Sequence, residues 1–299
     1  MNLTYVLYNP LAAGGTGTSA AMKLKTMLPK KKLVFYNLLE EHLPALLERL
    51  EPEAALIICG GDGTLNHFVN DAQGQLDGRR IYYYATGTGN DFLRDIGAQT
   101  HGGPVRIDPY LQSLPSVTVN GQTRLFLNGV GYGIDGYCCQ EGDRLHAAGQ
   151  TQVNYTKIAI SGLLFHYHPT GAHITVDGKA YDFRHVWLAP TMFGRFYGGG
   201  MMPTPAQSRL CEQPKVSVMV FHGFGKLRTL SVFPSIFKGE HIRHRVMVQV
   251  MEGERIHVAF DRPTPLQIDG ETILDVTEYE VLAPNLVVKA AAEKISSNL

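Results

Sequence analysis

Ala55-Leu56-Ile57-Ile58-Cys59-Gly60-Gly61-Asp62-Gly63-Thr64-Leu65-Asn66-His67-Phe68-Val69-Asn70 decides how this chain is read. Ala55 to Cys59 is small or apolar without alternation, the pattern of a strand buried on both faces. Gly60, Gly61 and Gly63 break it. Leu65, Phe68 and Val69 then recur at spacings of three and four, so a helix is expected to begin about where the glycines end. Strand, glycine turn and helix amino terminus together form a phosphate-receiving unit. Glycines let backbone N–H groups approach the oxygens, and the helix dipole favours negative charge there. Asp62 is out of place beside a phosphate unless a cation lies between them, or unless it acts as a base on a hydroxyl. An isolated Asp-Gly is most often a plain turn, so the remaining chain has to support the reading.

Composition narrows the classes. A chain of 299 residues is long enough for two cores. Lys plus Arg equals Asp plus Glu at 27 each, so no chain-wide field attracts nucleic acid or an anionic membrane, and no nucleic-acid partner is expected. The runs Lys30-Lys31-Lys32 and Arg243-His244-Arg245 read as solvated surface. Cys59, Cys138, Cys139 and Cys211 contain no Cys-x-x-Cys pair and read as reduced packing thiols. Met1-Asn2-Leu3-Thr4 has no basic leader character, and no stretch of about 18 apolar residues occurs. A cytoplasmic location is therefore expected, with only transient contact to a membrane.

The glycine turn has two companions. Tyr5-Val6-Leu7-Tyr8 reads as a strand that runs into Asn9-Pro10-Leu11-Ala12-Ala13-Gly14-Gly15-Thr16-Gly17. Lys32–Tyr36 reads as the next strand, and His42–Leu50, with Leu43, Leu46, Leu47 and Leu50 on one side, as a helix. Arg80–Tyr84 is β-prone and leads into Ala85-Thr86-Gly87-Thr88-Gly89-Asn90-Asp91. Alternating strands and helices predict a parallel sheet covered on both faces, with three loops gathering at its carboxyl edge. Beyond about residue 105 the pattern changes to short strands and turns. Asn120-Gly121, Asp177-Gly178 and Asp269-Gly270 each sit between β-prone runs, and Val216–Phe221, Val246–Val250 and Arg255–Phe260 add further strands. An antiparallel sandwich follows, interrupted by one helix near Asn154–Leu164 whose apolar side reads as core. The expected division is an α/β domain over 1–124, a β-sandwich over 125–284, and a segment 285–299 packing back on the first domain.

Taken together, these motifs resemble the diacylglycerol kinase catalytic family, in particular its soluble bacterial lipid kinases. The resemblance is carried by Asn9-Pro10 with its glycine loop, by Gly60-Gly61-Asp62-Gly63-Thr64 with Asn66, and by Gly87-Thr88-Gly89-Asn90-Asp91-Phe92. Phe126-Leu127-Asn128-Gly129-Val130-Gly131, Phe233-Pro234-Ser235-Ile236-Phe237 and Asp269-Gly270-Glu271 continue it across almost the whole chain. It implies an NAD kinase-like α/β domain with a C-terminal β-sandwich, and ATP-dependent phosphorylation of a lipid hydroxyl met at a membrane surface, in phospholipid metabolism. It places ATP against Asn9, Pro10, Leu11, Ala12, Ala13, Gly60, Gly61, Asp62, Gly63, Thr64, Leu65, Asn66, His67, Gly87, Thr88 and Asn90. Mg²⁺ would sit by Asp62 and Asp91. The base that deprotonates the acceptor would be Asp269, with Glu271 second.

Some positions depart from the family pattern. Gly198-Gly199-Gly200 is followed by Ser208-Arg209-Leu210-Cys211-Glu212-Gln213-Pro214, where only Glu212 could stand in for the acidic run that holds a structural magnesium in relatives. Asn37, Ala85 and His67 replace a threonine, a proline and a glutamate. Gly15 stands where a lysine is common, which removes a partner for Asp91 or Asp108. Two alternatives stay open: a kinase of the same fold acting on a soluble acceptor such as NAD, and a non-catalytic nucleotide or lipid sensor.

Overall fold

The computed structural model describes residues 3–72, 74–87, 89–150 and 153–288, so Thr88 and the expected returning segment beyond 288 lie outside the described residues. The chain forms two compact units, Met1–Gln112 and Ser113–Leu299.

The first unit is built on strands β1 (Leu3–Tyr8), β2 (Lys32–Asn37), β3 (Ala55–Gly60), β4 (Ile81–Ala85) and β5 (Val105–Arg106), in the spatial order β2-β1-β3-β4-β5. The first four are mutually parallel and β5 closes the edge antiparallel to β4. Leu56 to Cys59 are buried, as expected of a central strand covered on both faces. Val6, Ile57 and Cys59 pack with Ala21 and Leu24 from the short helices after β1. Helix Leu43–Arg49 buries Leu43, Leu46 and Leu47 and has Pro44 in its first turn, where a missing N–H costs nothing. β1 leads outward to β2 on one side, whereas β3 leads to β4 on the other. The adjacent carboxyl ends of β1 and β3 therefore release their loops in opposite directions, the switch point at which open α/β sheets collect ligands.

The second unit holds β6 (Ser116–Val119), β7 (Gln122–Leu125), β8 (Gly129–Tyr132), β9 (Thr170–Val176), β10 (Lys179–Val186), β11 (Thr191–Met192), β12 (Val216–Phe221), β13 (Val248–Gly253), β14 (Arg255–Ile268) and β15 (Glu271–Leu282). All pair antiparallel in one hydrogen-bonded network. β14 explains how one network becomes a sandwich. Its first half pairs with β9 through Ile256–Phe260, its last residues pair with β8, and its register against β15 shifts between Ala259 and Thr264. An irregularity of this kind bends a strand from one layer toward the other. The three hairpin dipeptides turn with positive φ at both central residues (Asn120 50°, Gly121 74°; Asp177 48°, Gly178 83°; Asp269 47°, Gly270 97°), the mirror-image turn that matches strand twist.

The structure differs from the sequence reading in several places. The hairpin β6–β7 belongs to the second unit, because Ser116–Thr118 pair with Glu280–Leu282 of β15; the first unit thus ends before the expected residue 124. Helix Asp62–Asp71 begins at Asp62, three residues before its apolar pattern starts, with Gly61 extended as its cap. Helix Ile134–Ala147 forms although its sequence carries no clear apolar stripe to predict it. The same holds for the helical segments Lys226–Val232, Phe233–Lys238 and Glu240–Arg243, which defer the strand expected from Val246 until Val248.

Candidate functional site

The carboxyl edge of the first sheet brings the three glycine-containing loops together. Asn9 N–H donates to Cys59 O at 3.2 Å, Thr86 N–H donates to Gly60 O at 2.8 Å, and Asn9 Nδ2 reaches Thr64 Oγ1 at 3.4 Å. The loop after β1 is turned by the Asn9 side chain, whose Oδ1 accepts Leu11 N–H at 2.9 Å, and passes through a left-handed Ala13 (φ 53°). Gly60 is required by contact rather than by dihedral angle: a Cβ there would lie 2.4 Å from the Thr64 side chain. The first bond of helix Asp62–Asp71 runs from Leu65 N–H to Gly61 O at 3.1 Å, so the N–H groups of the opening turn project beyond the helix end. Tyr83 supports the turn from below, its hydroxyl donating to Gly60 O at 3.2 Å. Burial, with the Asp62 carboxylate and Cys59 adding to it, holds the Tyr83 phenol well above its usual range, so it remains a neutral donor.

The two acidic residues expected at the phosphates are adjacent. Asp62 Oδ2 accepts the backbone N–H of Asp91 at 2.9 Å, which ties the start of one helix to the start of the next. Asp91 is buried and pairs with Arg94 at 3.1 Å, so the arginine one turn on supplies the cation that Gly15 does not. Asp108 likewise has its own partner, Arg106, at 2.8 Å; that guanidinium, outweighing burial, lowers the Asp108 carboxyl from its usual value. Asn90 joins them in the left-handed region (φ 49°, ψ 39°) that asparagine tolerates, with Nδ2 donating to Gly87 O at 2.9 Å. A Cβ on Gly89 would lie 3.6 Å from Asp62 Oδ2 and 3.8 Å from Asp91 Oδ2. The missing side chain leaves a small space flanked by two carboxylates. Such a donor set suits Mg²⁺, which takes one or two carboxylates and completes its shell with water and phosphate oxygens.

Next to this edge is a pocket of 460 Å³ lined by Asn9, Leu38, Leu39, His42, Thr64 and His67, among others. Its volume and its mixture of apolar walls with a few polar groups match a small-ligand site. Among the expected contacts, Asn9, Thr64 and His67 line it, while Leu65 and Asn66 are buried away from it and hold the helix in place. Asn37, at the end of β2, is turned into its own loop: it donates to Glu40 Oε1 at 2.7 Å and accepts Leu39 N–H at 3.1 Å.

In the second unit the two carboxylates of Asp269-Gly270-Glu271 have different surroundings. Asp269 accepts three backbone N–H groups, from Leu127 at 2.5 Å, Asn128 at 2.8 Å and Gly129 at 3.0 Å, so both its oxygens face the chain segment that opens β8. Glu271 is about one-third exposed and pairs with Arg124 of β7 at 2.5 Å. Arg209, inside the departing stretch, is buried; its Nη1 donates to Leu127 O at 2.9 Å, its Nη2 to Asn128 Oδ1 at 3.3 Å, and it lies over the Phe193 ring. A fixed cation thus enters the interior where the sequence lost its acidic run, while Glu212 stays at the surface. Neither Arg124 nor Arg209 carried a motif signal. Among the described residues no cluster of three or more His, Cys, Asp or Glu side chains gathers as a metal site.

A parallel sheet with phosphate-type loops at its switch point, followed by an antiparallel sandwich, defines a kinase fold of the NAD kinase and diacylglycerol kinase class. The diacylglycerol kinase catalytic domain matches residues 4–114, and the YegS C-terminal NAD kinase beta sandwich-like domain matches residues 128–288. The chain belongs to this diacylglycerol kinase family. A diacylglycerol kinase from Bacillus anthracis str. Sterne has a similar fold, with 19% identity, 95% of this chain and 94% of that chain covered, and a TM-score of 0.57. Another structure from that organism, provisionally a diacylglycerol kinase, gives 18% identity, 95% and 93% coverage and a TM-score of 0.62. At these identities the likeness is one of fold. A comparison with curated proteins gave no match.

Proposed function

We propose that this protein is an ATP-dependent lipid kinase that transfers the γ-phosphate to a hydroxyl of diacylglycerol or a related lipid alcohol. The observation that carries the proposal is the joining of Asp62, Asp91 and the opening turn of helix Asp62–Asp71 at one sheet edge, beside a nucleoside-sized pocket. The pocket would take the base and ribose between Leu38, Leu39 and His67. Backbone N–H groups of 61–64 and the loop containing Gly87, Thr88 and Asn90 would receive the phosphates. Mg²⁺ held by Asp62 and Asp91 would offset the charge that gathers on the transferring group. Asn90, by pinning Gly87 O, and Arg94, by pairing with Asp91, keep that loop and its carboxylate oriented.

For the base we favour Glu271 over Asp269. A general base must present an oxygen to the incoming hydroxyl. Asp269 has both oxygens on backbone N–H groups, three in all, whereas Glu271, about one-third exposed as a side chain, is held by Arg124 at Oε2, with Oε1 buried beside it. Asp269 then serves as the anchor of the turn that carries Glu271. The test is incubation of the purified protein with γ-labelled ATP, Mg²⁺ and a panel of glycerolipids, sphingoid bases and NAD. Label in a lipid is expected. Label only in NADP, or tight ATP binding with no labelled product in any mixture, would overturn the lipid assignment.

A further inference from the structure

The second unit has a helical layer that the phosphoryl-transfer chemistry does not use. It consists of helix Tyr155–Ser161 with the turn Gly162–His166, and of the segments Lys226–Val232, Phe233–Lys238 and Glu240–Arg243. Its inner side is core: Leu163, Val232, Phe233, Ile236 and Met247 are buried against Trp187, Leu188 and Phe221. Lys226 Nζ donates to Leu164 O at 2.8 Å, which joins the two halves of the layer at the residues that precede Leu227 and Phe165. The outer side is also apolar. Leu227 is 80% exposed, Val246 70% and Phe165 69%, and Ile160, Phe237 and Ile242 of the same segments are exposed as well. Single exposed apolar residues need no explanation, but a group of them on one layer does.

The charge around this face separates the candidate occupants. Residues 222–247 carry Lys226, Arg228, Lys238, Arg243 and Arg245 against one carboxylate, Glu240, and residues 153–168 add Lys157 and no carboxylate. Glu240 is itself paired with Arg243 at 3.6 Å. The chain as a whole is balanced at 27 and 27, so the excess is local. A second copy docking by the same face would set like charges against each other. An anionic bilayer would not: large apolar side chains enter the headgroup boundary while the Lys and Arg stems extend to the lipid phosphates. We infer that the outer face of this layer, centred on Phe165 and Leu227 and ringed by the basic side chains of 226–245, is the surface by which the protein docks on anionic lipid membranes. The inference deepens the lipid-kinase reading by naming the face that meets the acceptor's bilayer, and it is measured without nucleotide.

The experiment is co-sedimentation of the full chain, without ATP, with phosphatidylcholine vesicles and with vesicles in which roughly a third of the lipid is phosphatidylglycerol. Binding is expected on the anionic vesicles, to weaken as salt is raised, and to fall about ten-fold or more in the double variant Phe165→Glu/Leu227→Glu. Removing Arg243 and Arg245 together should lower it by about five-fold per charge. Because both apolar positions are exposed, thermal melting of the variants should match the parent, and Phe165→Leu/Leu227→Ile should restore binding. Equal or absent binding to the two vesicle types, or full binding by the double Glu variant, would overturn the inference. So would a parent dimer that the double Glu variant disperses in sedimentation velocity. Vesicle binding without phosphotransfer would instead count against the kinase reading and leave this surface in place.

Discussion

Asp62 Oδ2 accepts the Asp91 N–H at 2.9 Å, so the first residue of one helix caps the first turn of another across two strand-following loops. This contact gives Asp62 a structural role in addition to the charge we assign it, and the two can be separated. Asp62→Asn keeps a side-chain oxygen for the Asp91 N–H and removes the negative charge. The expected outcome is a melting curve close to the parent's and a kcat lowered at least about 10²–10⁴-fold. Retained activity in this variant would reduce Asp62 to a cap.

The turn of the second unit gives a paired prediction. Glu271→Gln should leave the fold and ATP affinity intact while lowering kcat by about 10²–10⁴-fold. Asp269→Asn should act mainly on stability, by about 1–3 kcal/mol in denaturant unfolding, because an amide cannot satisfy three backbone donors as a carboxylate does. If Asp269→Asn proves as stable as the parent yet inactive, the base assignment is reversed.

Gly60 tests the phosphate turn through packing. An alanine methyl would meet the Thr64 side chain at 2.4 Å, displacing a residue that faces the nucleoside-sized pocket. Calorimetry of Gly60→Ala should show ATP affinity weakened about ten-fold or more. Undiminished affinity would remove the turn from the proposed nucleotide site.

Asp135 provides a pH dependence. It is buried beneath β8, where its Oδ2 accepts the Tyr197 hydroxyl at 2.6 Å, and burial, only partly offset by that bond, raises its carboxyl to about 7. The folded value is above the unfolded one, so the protonated acid favours the folded chain. This contribution is complete below about pH 4, fades as pH rises toward 7, and is absent above it. Asp135→Asn keeps an acceptor for Tyr197 and carries no charge. Unfolding measured across pH should show no gain for the variant near pH 4 and a gain of between about 1 and 4 kcal/mol above pH 7.

What the sequence determined by itself is local and contiguous. The central strand, its glycine turn and the three Asx-Gly hairpins follow from runs of apolar residues and from dihedral requirements met within a few positions, and they appear where the residues placed them. The strand–helix order predicted the parallel sheet, but not which strands are neighbours, so the switch point between β1 and β3 came only with the structure. The sequence could also single out Asp62, Asp91, Asp269 and Glu271 as candidates, since they stand in motifs.

Which of those carboxylates are engaged, and by what, depended on the tertiary structure. The three N–H groups that hold Asp269 come from residues about 140 positions earlier, Arg124 and Arg209 reach their partners across strands, and Arg94 replaces the cation that the loop after β1 lacks. None of these contacts leaves a periodic trace, because a hydrogen bond between distant segments constrains one residue at a time. The segments Lys226–Val232, Phe233–Lys238 and Glu240–Arg243 leave no trace for a related reason, unlike the expected helix at Tyr155–Ser161: each is so short that buried Val232, Phe233 and Ile236 and exposed Leu227, Phe237 and Ile242 do not sort into an amphipathic stripe, and only packing separates them.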